Sequence, residues 1–406
     1  MSGADWTDMA SRPLRLDNVV QDYAWGSTTL LSGLRGLGAS ARPQAEVWMG
    51  AHAAAPSKCK VDGELIGLDH LVAADASVLG PADQVSGGSL PYLMKLLAAA
   101  SPLSLQAHPT KAMAEAGFAR ENELGIALDD PRRSYKDDNH KPELICALTP
   151  FRALSGFRAA SATAETLASL GCDRLDLIVE RLRQGAEGAL IGVVEHVLTL
   201  STDEGRRLAD QVGAAVAVDG PHQLERSIAR RVSEIYPGDP GIVIALLLEA
   251  VTLEPGDAMY LGAGRLHAYV DGLGVEIMAA SDNVLRGGLT PKHVDVAELV
   301  AILSPVIEPI EVLRGMEVEP SEFEYRTPAP EFLLSRIEVD ERVERMAAGP
   351  EIVLVTSGSF TIGDEALAPA DSMFVPAGTT WSAVGTGQMF RARVAGLEID
   401  QIGVRA

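Results

Sequence analysis

Leu253-Glu-Pro-Gly-Asp257 and, three residues on, Tyr260-Leu-Gly-Ala-Gly264 return later in the chain as Leu367-Ala-Pro-Ala-Asp371 and Phe374-Val-Pro-Ala-Gly378. In both copies a proline and a glycine stand nine residues apart around a short apolar stretch. Strand, turn and strand at this spacing read as an antiparallel barrel or jelly roll. The repetition therefore points to two related β modules. They diverge just downstream, into Leu266-His267 after the first and Thr380-Trp381 after the second. Only the first offers a metal-type ligand.

Upstream of the first copy the texture changes twice. Residues 1 to about 150 carry short apolar runs of β character, such as Ala45-Glu-Val-Trp-Met-Gly50 and Leu103-Ser-Leu-Gln-Ala-His108. Between them a helix is expected over Lys111 to Gly125, with Thr110 as its N-cap. From about 158 to 235, segments such as Leu175–Leu182 and Ala189–Leu200 place apolar residues at i, i+3 and i+4, the helical period. A last β-rich stretch runs from about 318 to 406. The chain is thus mainly β with an α segment in the middle.

The 406 residues include 34 basic and 56 acidic side chains, a formal net charge of −22. A field of that sign repels polyanions, which disfavours a general binder of nucleic acid or of anionic membranes. Only seven of the basic residues are lysines. Five of them, Lys95, Lys111, Lys136, Lys141 and Lys292, lie in or near the segments that carry chemistry. Cys59, Cys146 and Cys172 are odd in number and lack CxxC spacing, which argues against a disulfide framework or a thiolate zinc site. The N-terminal residues hold no apolar stretch of leader type, and the most apolar run, Ile242 to Leu253, is too short to span a bilayer. A cytoplasmic setting is expected.

Gln106-Ala-His108 lies in an alternating segment, so its amide and imidazole share one strand face. Glu143 follows Pro142, which favours an extended backbone, and His267 sits at a strand-like turn. Gln, His, Glu and His suit Zn²⁺ with one position left open. A buried histidine is also commonly a hydrogen-bonded structural residue, and spacing leaves both readings open. In Ser281-Asp-Asn-Val-Leu-Arg-Gly-Gly-Leu-Thr-Pro-Lys292, Arg286 precedes a Gly-Gly pair that admits close approach of a ligand. Thr290 and Pro291 read as the cap and first residue of a helix over Pro291–Val300. Arg286 is then either an anion clamp or a surface residue beside a capped turn.

These segments together resemble the type I mannose-6-phosphate isomerases (phosphomannose isomerases), zinc-dependent enzymes of the cupin fold. The resemblance rests on Gln21-Asp-Tyr-Ala-Trp-Gly-Ser27, Ala45–His52, Pro91–Leu97, Ser101–Pro109, Asn139–Glu143, Leu154–Phe157 and, most specifically, Ser281–Lys292. One departure is Ala280 in Met278-Ala-Ala-Ser281, where the family pattern has asparagine. The C-terminal hundred residues match only in general cupin character. The resemblance implies two cupin-type jelly-roll modules plus a helical domain. Residues 1–157 would form the first part of the catalytic module, 158–240 the inserted helical domain, 241–317 the remainder of the module, and 318–406 the second module.

It also implies one Zn²⁺ per chain held by Gln106, His108, Glu143 and His267, with Arg286 catalytic. The reaction implied is the interconversion of D-mannose 6-phosphate and D-fructose 6-phosphate through a cis-enediol. For the base, His140 and Glu276 stand out, with Lys141 or Asp282 assisting. His140 titrates near neutrality unaided and is favoured, whereas Glu276 needs a raised pKa. Lys95, Lys111, Lys136 and Lys292 are the candidates for binding the sugar phosphate, and Arg132-Arg133 reads as a solvated loop. The expected partner is a small sugar phosphate, with no nucleic acid or membrane, and the chain is expected to be a monomer. The rival of another class is a sugar-phosphate sensor that keeps the pocket without turnover.

Overall fold

The computed structural model describes residues 12–397 apart from Asp62; most of the N-terminal stretch read for a leader, residues 1–11, lies outside them. The sequence repeat is also a structural one. In the first copy Glu254 N donates to Asp257 Oδ2 (3.2 Å) and Asp257 N donates back to Glu254 O (2.8 Å). In the second, Ala368 N donates to Asp371 Oδ2 (2.9 Å) and Asp371 N to Ala368 O (2.9 Å). The residue before each aspartate is left-handed, Gly256 at φ 91° and Ala370 at φ 73°. Ala370 adopts it against a cost of about 1–2 kcal/mol, which its glycine counterpart avoids. Strands Ala258–Leu261 and Ser372–Val375 come next, and each leads to a left-handed glycine, Gly264 (φ 74°) or Gly378 (φ 78°).

The described residues form two large sheets in which neighbouring strands run antiparallel. The first centres on the thirteen-residue strand His267–Ala279. From Gly272 onward this strand pairs on one side with Tyr92–Ala99 and on the other with Glu143–Ala147. Its opening residues instead pair with Phe151–Phe157 and with Gln106. Gly272, at φ 128°, allows the change of partners, since a Cβ there would lie 2.6 Å from the Phe151 ring. All eight residues of Tyr92–Ala99 are buried, as a strand covered on both faces requires. Leu97 and Ala99 face the barrel interior with Ile145 and Tyr269, while Tyr92, Met94 and Leu96 face a core shared with Tyr325, Phe374 and Phe390 of the second sheet.

The second sheet is built around Leu333–Met346, Glu351–Ile362 and Thr380–Arg393. It does not respect sequence order. Strand Leu14–Asp17 pairs with Ser372–Val375, and Lys58–Val61 and Glu64–Gly67 continue the sheet outward. Three N-terminal strands therefore lie in the C-terminal sheet.

Helices occupy Ala160 to Leu247 and pack into one core through Ile178, Val179, Leu182, Val193, Val197 and Leu208, among others. Ser201 and Glu204 form a capping box at the start of Thr202–Val216. The apolar run from Ile242 divides into helix Gly241–Leu247 and strand Leu248–Leu253. No helix among the described residues is long and apolar enough to cross a membrane. The helix after Thr110 forms at Lys111–Glu123, with Thr110 Oγ1 accepting from Met113 N. The helix expected over Pro291–Val300 is corrected: it runs Val296–Ile302, and its cap is Asp295, which accepts from Glu298 N (3.0 Å). Thr290 Oγ1 accepts from Lys292 N instead, closing a turn. All three cysteines are free and buried.

Candidate metal centre

Strand register assembles the site. Gln106 lies opposite His267, and Arg286 lies opposite Gln106 on its other side. Glu143 pairs with Met278 and Leu261, near the other end of the long strand from His267, and its carboxylate nonetheless reaches the His267 ring. His108, Glu143 and His267 are each no more than 5% exposed, and their ligand atoms lie within 4.8 Å of one another. His108 Nε2 is 3.2 Å from Glu143 Oε1, and His267 Nε2 is 3.4 Å from Glu143 Oε2.

The hydrogen bonds on the far sides of the two rings decide what these atoms are. His108 Nδ1 lies 2.7 Å from the carbonyl of Asn283, and His267 Nδ1 lies 2.9 Å from that of Arg265. A carbonyl only accepts, so each Nδ1 carries the proton and each Nε2 of a neutral ring presents a lone pair. Burial pushes the pKa of His108 down, which keeps that ring neutral. His108 Nε2 is moreover buried without a hydrogen-bond partner. With both rings neutral, two lone pairs converge on a carboxylate, an arrangement that repels itself unless a cation lies among them. Gln106 Nε2 donates to Ser104 Oγ (3.2 Å), which leaves its amide oxygen as the atom available to the same ion. The donor set of two imidazoles, a carboxylate and an amide oxygen fits zinc.

Beyond these four, a cavity of about 80 Å³ continues along the barrel, lined by Lys95, Lys141, Tyr269, Glu276 and Glu46. Lys95 and Glu276 are cross-strand partners, with Nζ 3.0 Å from Glu276 Oε2 and 3.6 Å from Glu46 Oε1. Trp48, across from Lys95 on the other side, donates Nε1–H to Glu46 Oε2 (2.7 Å). Burial raises the pKa of Glu276, and Lys95 opposes that rise. Lys141 Nζ lies 3.4 Å from Glu143 Oε1.

The other residues singled out in the sequence are not among those lining this cavity. Asp282 accepts from His52 Nε2 (3.2 Å), and that hydrogen bond, outweighing burial, lowers its pKa. Arg286 and Lys292 have no ion pair among the described residues. Burial lowers the pKa of both, and the charge of Arg286 adds to the effect on Lys292. His140 turns away to Glu331, with Nε2 2.5 Å from Oε1. Lys111 and Lys136 donate to the backbone carbonyls of Asp138 and Leu128. Arg132 pairs with Asp130, but Arg133 is buried, bound to the carbonyls of Tyr135 and Ile126, so only the first half of the solvated-loop reading stands.

Three site residues went unrecognised in the sequence. Tyr269 is 4% exposed, and its hydroxyl lies in the cavity with no hydrogen-bond partner. Glu46 and Trp48 line the Lys95 side. The available signal was position: Tyr269 is two residues from His267 on one strand and thus on the same face.

Fold and site define a cupin with a buried metal-type pocket. The catalytic-domain pattern of type I phosphomannose isomerase matches residues 14–160. The mannose-6-phosphate isomerase of Escherichia coli is 37% identical over 387 residues, covering 93% of this chain and 98% of its own. Mannose-6-phosphate isomerase 1 of Arabidopsis thaliana is 31% identical over 396 residues, covering 90% of this chain and 89% of its own. Among solved structures, an alanine variant of phosphomannose isomerase from Salmonella typhimurium superposes with a TM-score of 0.88 at 35% identity, over 95% of this chain and 100% of that one. A zinc-bound mannose 6-phosphate isomerase gives 0.87 at 34%, with the same coverage. The chain belongs to the type I phosphomannose isomerase family.

Proposed function

We propose that the chain interconverts D-mannose 6-phosphate and D-fructose 6-phosphate, with one zinc ion per chain held by Gln106, His108, Glu143 and His267. The observation that carries this reading is the convergence of two Nε2 lone pairs on Glu143 beside the Lys95–Glu276 pair. A bound zinc ion supplies Lewis acidity toward the carbonyl and hydroxyl oxygens of the open-chain sugar. The proton at C2 must leave and one must return at C1. Glu276 supports that role better than His140, because it lines the cavity whereas His140 is engaged by Glu331. Burial makes its carboxylate more basic, against the opposing pull of Lys95. Tyr269 and Lys95 donate toward the oxygens that acquire charge in the enediolate.

Arg286 and Lys292, cations without carboxylate partners, suit the substrate's phosphate, and Arg286, always charged, has no role as a base. Lys141 lines the same cavity as Glu276, whereas His140 and Asp282 lie outside its lining, paired with Glu331 and His52. Lys111 and Lys136 are engaged by backbone carbonyls. A sensor without turnover has no observation in its favour and is foreign to a family of isomerases. A monomer in the cytoplasm is the setting this reading takes. The test pairs metal analysis with fructose 6-phosphate formation, with and without chelator, using Gln106→Ala and Arg286→Ala as controls. Loss of C2–H exchange with solvent in Glu276→Gln, with zinc content full, supports the base assignment. Loss in His140→Asn with retention in Glu276→Gln overturns it.

A further inference from the structure

The loop Lys136–Lys141 has no sheet ladder or helix of its own, yet it carries His140 and Lys141 and leads into the strand that begins with Glu143. Among the groups that hold it, one side chain makes the most hydrogen bonds to it. Asn283, 0% exposed, accepts from Lys136 N (2.7 Å) and Asp137 N (3.3 Å) through Oδ1. Through Nδ2 it donates to Asp137 O (2.8 Å), Asp137 Oδ1 (3.2 Å) and Asn139 O (2.8 Å). Asp137 closes the clasp from the loop side, accepting from Ser281 Oγ (2.8 Å) and Asp282 N (2.7 Å). The carbonyl of the same Asn283 is the atom that accepts from His108 Nδ1.

One buried residue thus fixes the ring of a metal ligand with its backbone and the substrate-side loop with its side chain. No substitution deletes the carbonyl, but removing the amide frees the peptide that positions it. We propose that Asn283, with Asp137 as its acceptor, is a positioning residue that couples metal binding to order in the Lys136–Lys141 loop. The proposal rests on zinc being the ion that His108 and its neighbours hold.

In the full chain, zinc affinity is measured by competition with a chromophoric chelator, and amide exchange across residues 134–142 with and without zinc. The parent is expected to bind zinc and to show slower exchange in the loop when it does. Asn283→Ala is expected to bind zinc about 10–100-fold more weakly, the range for partners that orient a ligand. Its loop amides are expected to stay fast even at saturating zinc. Asn283→Asp keeps an acceptor for Lys136 N but sets a carboxylate against three oxygens, so it should fail in the same way. Should Asn283→Ala not fold, Asp137→Ala carries the test, with a smaller loss of affinity but the same uncoupled loop. Zinc affinity within about twofold of the parent, or zinc-dependent protection that survives the substitution, overturns the coupling. A parent chain that binds no zinc overturns the metal reading and the coupling with it, an outcome separate from the variant's failure.

Discussion

Each β module buries a cluster of ionisable side chains. In the C-terminal module, Arg391 donates Nε–H to Glu351 Oε2 (2.9 Å), pairs again with Glu351 through Nη2, and reaches Glu322 through Nη1 (3.3 Å). Glu322 also accepts from Arg345 (2.7 Å) and Ser335 (2.7 Å), and Glu351 from Trp381 (3.1 Å). The cluster is closed on itself. In the catalytic module, the equally buried His108 Nε2 and Tyr269 hydroxyl have no partner, and the half-buried Arg286 and exposed Lys292 have no counter-charge among the described residues. A buried polar group left unmatched costs about 1–3 kcal/mol. Arg336 Nε and Arg393 Nε in the C-terminal module lack a hydrogen-bond partner as well. It is therefore the convergence of unmatched groups around His108, Glu143 and His267, rather than their mere presence, that marks where a ligand binds. One architecture serves two ends: charges matched for stability, and charges left open for chemistry.

Four changes break or sharpen that contrast. The largest effect is expected from His108→Ala, which should lose bound zinc by metal analysis and at least about 10³-fold in kcat/KM while remaining folded by circular dichroism. Unchanged zinc content would reduce the convergent lone pairs to a structural cluster. Next, Arg391→Met should strand Glu322 and Glu351 and destabilise the chain by about 3–5 kcal/mol in denaturant titration. Its zinc content and its kcat should be those of the parent wherever it is folded, and a loss of zinc would tie the two clusters together. Tyr269→Phe should lower kcat about tenfold, the worth of one neutral hydrogen bond, without lowering Tm. A lower Tm with unchanged kcat would make the hydroxyl structural.

The smallest effect concerns pH. Burial works against ionisation of Glu322, but Arg391, Ser335 and Arg345 hold its carboxyl below the ordinary 4.5. A depressed folded pKa contributes stability that is complete above the unfolded value and lost as pH falls through the folded one. Tm should therefore decline on acidification below 4.5, and Glu322→Gln should flatten that decline. An acid limb identical to the parent's would remove Glu322 from the account.

The open cluster was largely legible in the sequence, and the closed one was not. Gln106, His108, Glu143 and His267 are residue types with few structural duties in strands, so they stand out. Glu322, Glu324, Arg391 and Arg393 alternate along their strands in a way that reads as a solvated face, and only the fold turns that face inward. Tyr269 was missed because an aromatic in a strand is most often core. The helix after Thr290 was misplaced because Pro291 satisfies a local rule, whereas Asp295 satisfies the hydrogen bond that the packed helix needs. The repeat around Asp257 and Asp371 was legible because its hydrogen bonds close within four residues. The pairing of Leu14–Asp17 with Ser372–Val375 carries no local signal at all.

That pairing sets the order in which the protein is able to form. Strand Leu14–Asp17 leaves the ribosome long before its partner Ser372–Val375 exists. At roughly 5–20 residues per second the wait is about 20 to 70 s. Throughout it, Leu14, Leu16, Cys59 and Val61, all buried in the finished molecule, lack the C-terminal strands of their sheet. The catalytic barrel emerges first, but the fold is sealed only when the last module arrives and takes up the first strands. A chain cut before residue 372 therefore loses more than its C-terminal module: it leaves the opening strands exposed as sticky edges.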